Sequence, residues 1–313
     1  MEVRRLAARR FCRVALVVLF GGLGVVLAAT ATDSHRPSTA DLAEAQQRAA
    51  TAATAVAADR RRCEDAKTAQ PSDGFDCRQI EAPPPESFLS VSAFNFRAEI
   101  TNRTVALSVA LALFAFILGA TAVGAEWAHG TMAGLLLWEP RRTRVFLAKF
   151  AALLGGLGLI SIVAYAVHLV GHYSIADVRG EVGELSSGFD TSLGLLAGRG
   201  LAVVGVAAAC GFAIAYTLRH TAAALGLALG YLVVAEVGLR LWSVRWSPYL
   251  LSTNLDAWLN RGTVVPVYSC DAGGVCTASE IKVSMAQGGL VLLGVALVLL
   301  IGAALVFRRR EVT

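Results

Sequence analysis

Few residues in this chain have types and spacing that chemistry could use. His168 and His172 stand four apart, so on a helix they share one face and could hold a metal ion together. No Glu completes an H-E-x-x-H pattern around them, and the simpler reading is a pair of polar residues at a membrane boundary. Glu236 is the only acid in a long apolar run, with Arg240 four residues on. An acid so placed is a candidate for lining a pathway, with Trp242 and Trp246 close by in the sequence; the alternative is a plain i, i+4 ion pair with Arg240. Cys63 and Cys77 share one polar region and Cys270 and Cys276 another, which reads as two disulfides or as unlinked thiols. No loop combines four Cys or His at zinc-like spacing, so no metal site is expected. Neither a G-x-x-x-x-G-K-[ST] phosphate loop nor a G-x-S-x-G nucleophile turn occurs, and no catalytic residue is assigned.

The elements that carry these residues are predominantly apolar. Hydrophobic residues make up 56% of the 313 and charged residues only 16%, where soluble domains carry about 25% charged. The net charge of +5 is too small to argue for nucleic acid as a partner. A membrane-spanning helix needs about 20 apolar residues. Six stretches meet or approach this, at about 14–31, 105–125, 145–170, 193–218, 221–241 and 286–307. The fold class that follows is an all-α integral membrane protein with six transmembrane helices in one domain over 1–313. The pairs Gly194/Gly198 and Gly226/Gly230 match small-xxx-small helix packing, a weak signal in so Gly-rich a chain.

Orientation follows from the basic residues in short connections. Arg4, Arg5, Arg9, Arg10 and Arg13 precede the first stretch, and Arg141, Arg142, Arg144 and Lys149 separate the second from the third. Arg219 and His220 separate the fourth from the fifth, and Arg308 to Arg310 follow the sixth. All four segments fall on one side of a six-span chain, which predicts cytosolic termini. The connection after span three is acidic, with Asp177, Glu181, Glu184 and Asp190 against Arg179, and belongs outside. Both cysteine pairs then also lie outside, where disulfides persist. The apolar start with Ala29-Thr30-Ala31 also fits a signal peptide; cleavage would leave five spans, and a retained first span is the reading adopted.

The first outer loop, 32–102, changes character along its length. Residues 38–69 are rich in Ala, Glu, Gln and Arg without Gly or Pro, a composition that predicts helix. Pro71, Gly74 and Pro83-Pro84-Pro85 then predict irregular chain, and Phe88, Leu89, Val91, Phe94 and Phe96 a hydrophobic return segment. The second large outer loop, 242–285, begins with Trp242, Trp246, Tyr249 and Trp258, an aromatic belt. Arg199, early in span four, is expected to snorkel to the outer surface.

The connection between spans two and three, 126–142, is the most informative stretch. Glu126, Trp127, His129, Gly130, Thr131, an apolar run Leu135-Leu136-Leu137-Trp138, then Glu139-Pro140-Arg141-Arg142 describe a short helix at the membrane boundary with a sharp break after it. Here the chain resembles the ABC-2 type transporter permeases, in particular small bacterial six-span members. Their E-W-x-x-G-T motif, a Pro followed by basic residues, and an Ala-Lys early in the third span are matched by Glu126, Trp127, Gly130, Thr131, Pro140, Arg141, Arg142, Arg144, Ala148 and Lys149. The terminal Phe307-Arg308-Arg309-Arg310-Glu311 is similar as well.

The resemblance implies an exporter permease subunit in the bacterial plasma membrane, with no enzyme activity or cofactor of its own. Two such protomers, identical or related, would form the pathway, and two separate ABC ATPase subunits would hold ATP and Mg. Glu126, Trp127, Gly130, Thr131, Pro140, Arg141 and Arg142 would belong to a coupling helix that docks on the ATPase. Membrane lipids are further partners, and loop 32–102 is a candidate surface for an extracytoplasmic one. The competing classes are a polytopic membrane enzyme or assembly factor acting at the outer face, and a secondary transporter. The first lacks paired acids or histidines around a cavity, and the second lacks a visible internal repeat.

Overall fold

The computed structural model describes residues 10–69, 76–89, 93–128, 130–138, 141–270 and 276–309. The chain is mostly helical, and six helices are long and apolar enough to cross a membrane. They are α1 (Arg10–Asp33), α3 (Phe96–Ala128), α5 (Arg142–Arg179), α6 (Ser187–Leu218), α7 (Thr221–Trp242) and α9 (Met285–Arg309). The others are α2 (Thr39–Ala69), α4 (Thr131–Trp138) and α8 (Leu251–Leu259). Large apolar side chains stand fully open on the spans, Val17 at 72% exposure and Val298 at 71% among them. In water such surface would be a liability, whereas hydrocarbon is its proper solvent. The protein is a multi-pass membrane protein.

The chain forms two compact units. The first comprises Met1–Gly24, Ile100–Leu169 and Leu185–Thr313. Its core is made where α3 crosses α6 at the closest approach that small residues allow. A Cβ on Gly211 would lie 2.1 Å from the Phe116 carbonyl oxygen, and one on Gly119 would lie 2.5 Å from that of Ala208. Where lipid tails are as apolar as Leu, backbone contact of this kind replaces the hydrophobic effect as the force between helices. A buried hydrogen bond of 2.7 Å between Ser108 of α3 and Tyr165 of α5 joins a third helix to the pair. The glycines expected to pack by spacing do not: at Gly194, Gly198, Gly226 and Gly230 an added Cβ would meet nothing within 4 Å.

After α7 the chain turns through a 3-10 segment, Val244–Tyr249, into α8, then into one antiparallel hairpin of β1 (Gly262–Cys270) and β2 (Cys276–Ser284). The β-branched run Thr263-Val264-Val265, with Val267 and Tyr268, favours strand there. This hairpin is an addition to the all-helical expectation, small enough to leave the fold class unchanged.

The second unit comprises Val25–Glu99 and Val170–Glu184. Helix ends are satisfied here by arginines. Arg36 donates to the carbonyl oxygens of Asp177 at 2.8 Å and Gly180 at 2.9 Å, closing the end of α5, while Arg179 donates to Ala31 O at 2.9 Å near the end of α1. Ser38 and Asp41 form a capping box at the start of α2: the Ser38 N–H and hydroxyl donate to the Asp41 carboxylate at 2.8 and 2.7 Å, and the Asp41 N–H donates to Ser38 Oγ at 3.2 Å. A disulfide between Cys63 and Cys77 ties the far part of α2 to the segment beyond it. His172, buried completely, packs against Phe94 with ring centroids 5.5 Å apart.

Candidate functional site

The turn from α3 to α5 is built on a reversal that only a few residues permit. Gly130 takes φ +67°, left-handed backbone that Gly adopts without a Cβ penalty, and its N–H donates to Trp127 O at 3.2 Å. The Thr131 hydroxyl donates to Glu126 O at 3.2 Å, so a carbonyl left over at the end of α3 is satisfied from the next helix. Helix α4 follows with Met132 completely buried and Leu137 87% exposed. His129, Glu139 and Pro140 lie outside the described residues, as do the side chains of Ala133, Leu135, Leu136 and Trp138. Arg141 is exposed, and its carbonyl accepts from Val145 N at 3.2 Å as α5 begins.

Glu126 does not point to an outside partner. It sits in the last turn of α3, 14% exposed, and its carboxylate meets Lys149 Nζ of α5, 9% exposed, at 2.7 Å. An ion pair this dry is held by its geometry, since removing either charge strands the other in low dielectric. Its effect is to fix the separation of α3 and α5 on either side of α4. Trp127 beside it lies edge-on to Phe307 of α9 at 6.3 Å, with the Arg219 guanidinium 4.5 Å from its ring centroid. Arg142 donates to Phe307 O at 3.1 Å, satisfying an end carbonyl of α9 rather than facing outward. The ends of α3 and α9, the start of α5 and the α6–α7 turn therefore meet at one place. Of the residues singled out in the sequence, Glu126, Trp127, Thr131, Arg142 and Lys149 gather there. Phe307 and Arg219 were read for the terminal resemblance and for topology, and nothing in the sequence marked them as partners of Trp127.

A second polar cluster surrounds Glu236. Within α7 the stretch Leu232–Leu239 winds as a π-helix, and Glu236 is 8% exposed. The Tyr231 hydroxyl donates to its carboxylate at 3.0 Å, the Ser252 N–H does so at 3.0 Å, and the Ser252 hydroxyl donates to its other oxygen. Arg240 stands 3.8 Å from the carboxylate and donates to the hydroxyls of Ser252 at 2.6 Å and Thr253 at 3.1 Å. Trp242 and Trp246 are 83% and 53% exposed, and Trp246 meets Tyr249 at 6.2 Å. Arg199, half-buried, donates to Trp258 O at 3.3 Å, and the Trp258 indole N–H donates back to Arg199 O at 3.1 Å. A groove of about 540 Å³ runs between Arg240, Ser252, Asp256 and the strand residues Val264 to Pro266.

His168 is buried within α5 at 3% exposure. Among the described residues no three His, Cys, Asp or Glu side chains converge on a metal-sized site. The register of the hairpin sets Cys270 opposite Cys276, whose side chains lie outside the described residues. Compared with known protein families, the sequence matches no family model. A search of curated proteins likewise finds no match.

Proposed function

We propose that this chain is the transmembrane permease subunit of an ABC exporter, driven by an ATPase carried on a separate chain. The observation that supports it most is the α3–α4–α5 turn: an eight-residue helix anchored by Met132, flanked by the Glu126–Lys149 ion pair, and presenting Leu137 outward. A short helix clamped at both ends to two spans can pass a push from a docked partner into those spans. The residues that form the clamp are those that resemble the E-W-x-x-G-T motif and the Ala-Lys of ABC-2 type permeases. The charge distribution puts this turn and both termini in the cytosol, and α2, α8 and the hairpin outside. The sequence holds no phosphate loop, which fits an ATPase carried on a partner chain, and two protomers would complete the pathway.

A photo-crosslinking residue in place of Leu137, introduced in the native host, tests this. The expected product joins the chain to a protein bearing a G-x-x-x-x-G-K-[ST] loop. Products with lipid alone would overturn the docking role of α4.

A further inference from the structure

We infer that Tyr231 and Glu236 form a latch on span five that holds helix α8 closed over its outer end by capping α8 from outside. The name "outer" rests on the topology proposed above; the latch itself rests on geometry alone. Helix α8 begins at Leu251, and its N-cap position is Leu250, which has no side chain able to accept a hydrogen bond. The leading N–H groups of a helix need acceptors, and here both come from another helix. Leu251 N–H donates to the Tyr231 hydroxyl at 3.1 Å, and Ser252 N–H donates to Glu236 at 3.0 Å. The negative carboxylate at a helix N-terminus is favoured by the helix dipole as well.

The π-helix explains how one helix supplies both. Tyr231 and Glu236 are five residues apart, which on an α-helix of 3.6 residues per turn would turn them well away from each other. A π-turn has its hydrogen bonds at i, i+5 and brings such residues onto one face. The Tyr231 hydroxyl accordingly donates to Glu236 while it accepts from Leu251. The irregular winding of α7, unfavourable in itself, is spent on aligning the two acceptors. Ser252 tightens the contact, since its hydroxyl donates to Glu236 and accepts from Arg240. On its other sides α8 packs against α9 at Gly288, where a Cβ would lie 2.4 Å from Asn254 O, and reaches α6 through Trp258 and Arg199. The Arg199–Trp258 hydrogen bonds hold the C-terminal end of α8, whereas the latch holds its N-terminus, so a rearrangement of α7 through its π segment would act on the latch.

Hydrogen–deuterium exchange of the whole chain in lipid nanodiscs tests this without any partner. In the native chain the amides of Leu251 and Ser252 are expected to be protected. Tyr231→Phe and Glu236→Leu should each speed exchange there about tenfold, the scale of one hydrogen bond lost, with Ala257 to Leu259 and the hairpin unchanged. Unchanged exchange at Leu251 and Ser252 in the two point variants overturns the latch, and so does acceleration spread evenly through α8 and the hairpin, which would mark general destabilisation. Failure of the permease reading alone would leave these rates as expected.

Discussion

Lys149 reaches Glu126 across the turn between α3 and α5 at 2.7 Å, and both side chains are at least 86% buried. The pair joins two spans whose connection is the only place where α4 can be offered to a partner, so its loss should be felt in folding before it is felt in function. Lys149→Ala is expected to lower stability by about 3–5 kcal/mol, because it breaks a buried ion pair by removing one partner. The paired change Glu126→Leu with Lys149→Met should recover most of that loss. Thermal unfolding midpoints in one detergent compare the three variants; equal midpoints for the single and paired changes would mean that the charges do not interact.

The α3–α6 crossing gives a steric prediction. Gly211→Ala places a methyl 2.1 Å from Phe116 O, which the backbone must yield to, and overpacking of this kind costs about 1–3 kcal/mol. Gly194→Ala in the same helix meets nothing within 4 Å and should be neutral or stabilising by about 0.5–1 kcal/mol from helix propensity. The order of the two unfolding midpoints checks it.

Leu137 separates assembly from folding. Leu137→Asp changes an 87% exposed side chain and should leave the yield and unfolding midpoint of the isolated chain within experimental error. It should remove most of the ATPase captured with the chain, since a charge in the centre of a docked apolar contact is costly. Loss of yield instead would make Leu137 a lipid or core contact.

The capping box of α2 gives a pH dependence. Hydrogen bonds from the Ser38 hydroxyl and N–H hold the exposed Asp41 carboxyl below the usual carboxylate range. Its folded value lies below its unfolded one, so the stabilisation is present above about pH 4 and disappears as pH falls through the lowered folded value. Amide protection at residues 39–42, taken relative to the intrinsic exchange rate at each pH, should fall in that window. In Ser38→Ala the fall should begin at higher pH.

The disulfide between Cys63 and Cys77 closes a loop with a sequence separation of 14. Reduction should loosen the 63–77 segment by about 3 kcal/mol on the loop-entropy account. Limited proteolysis with and without reductant is the measurement, and cleavage confined to this segment is the expected result.

The six spans were legible because hydrocarbon imposes a composition no soluble element has, and the Cys63–Cys77 pair because two cysteines isolated in one polar loop have few other uses. The Ser38 box lies at the start of a run whose Ala, Glu and Gln content already predicts helix. Other features were hidden for physical reasons. The π segment is invisible in Leu232 to Leu239 because its cause is tertiary: an acceptor must be aligned with Ser252, twenty residues beyond Leu232. Glycine spacing misled at Gly194 and Gly226, since the pattern says that a helix can approach and not that one does. Glu126 reads from sequence as a surface acid; only the proximity of Lys149, one helix away, turns it inward. Arg199 and Arg142 each meet a carbonyl on another helix, a contact that periodicity within one helix cannot encode.

The central claim is that this membrane chain works with a separate ATPase. Its most direct test is ATP hydrolysis in the chain's own complex, extracted from the native membrane in mild detergent through a tag on this chain. A co-purifying subunit with a phosphate-binding loop is expected, with hydrolysis that falls with the subunit in the Leu137→Asp preparation. A folded, six-span chain recovered in full yield with no ATP-hydrolysing partner, in native and variant preparations alike, would contradict it.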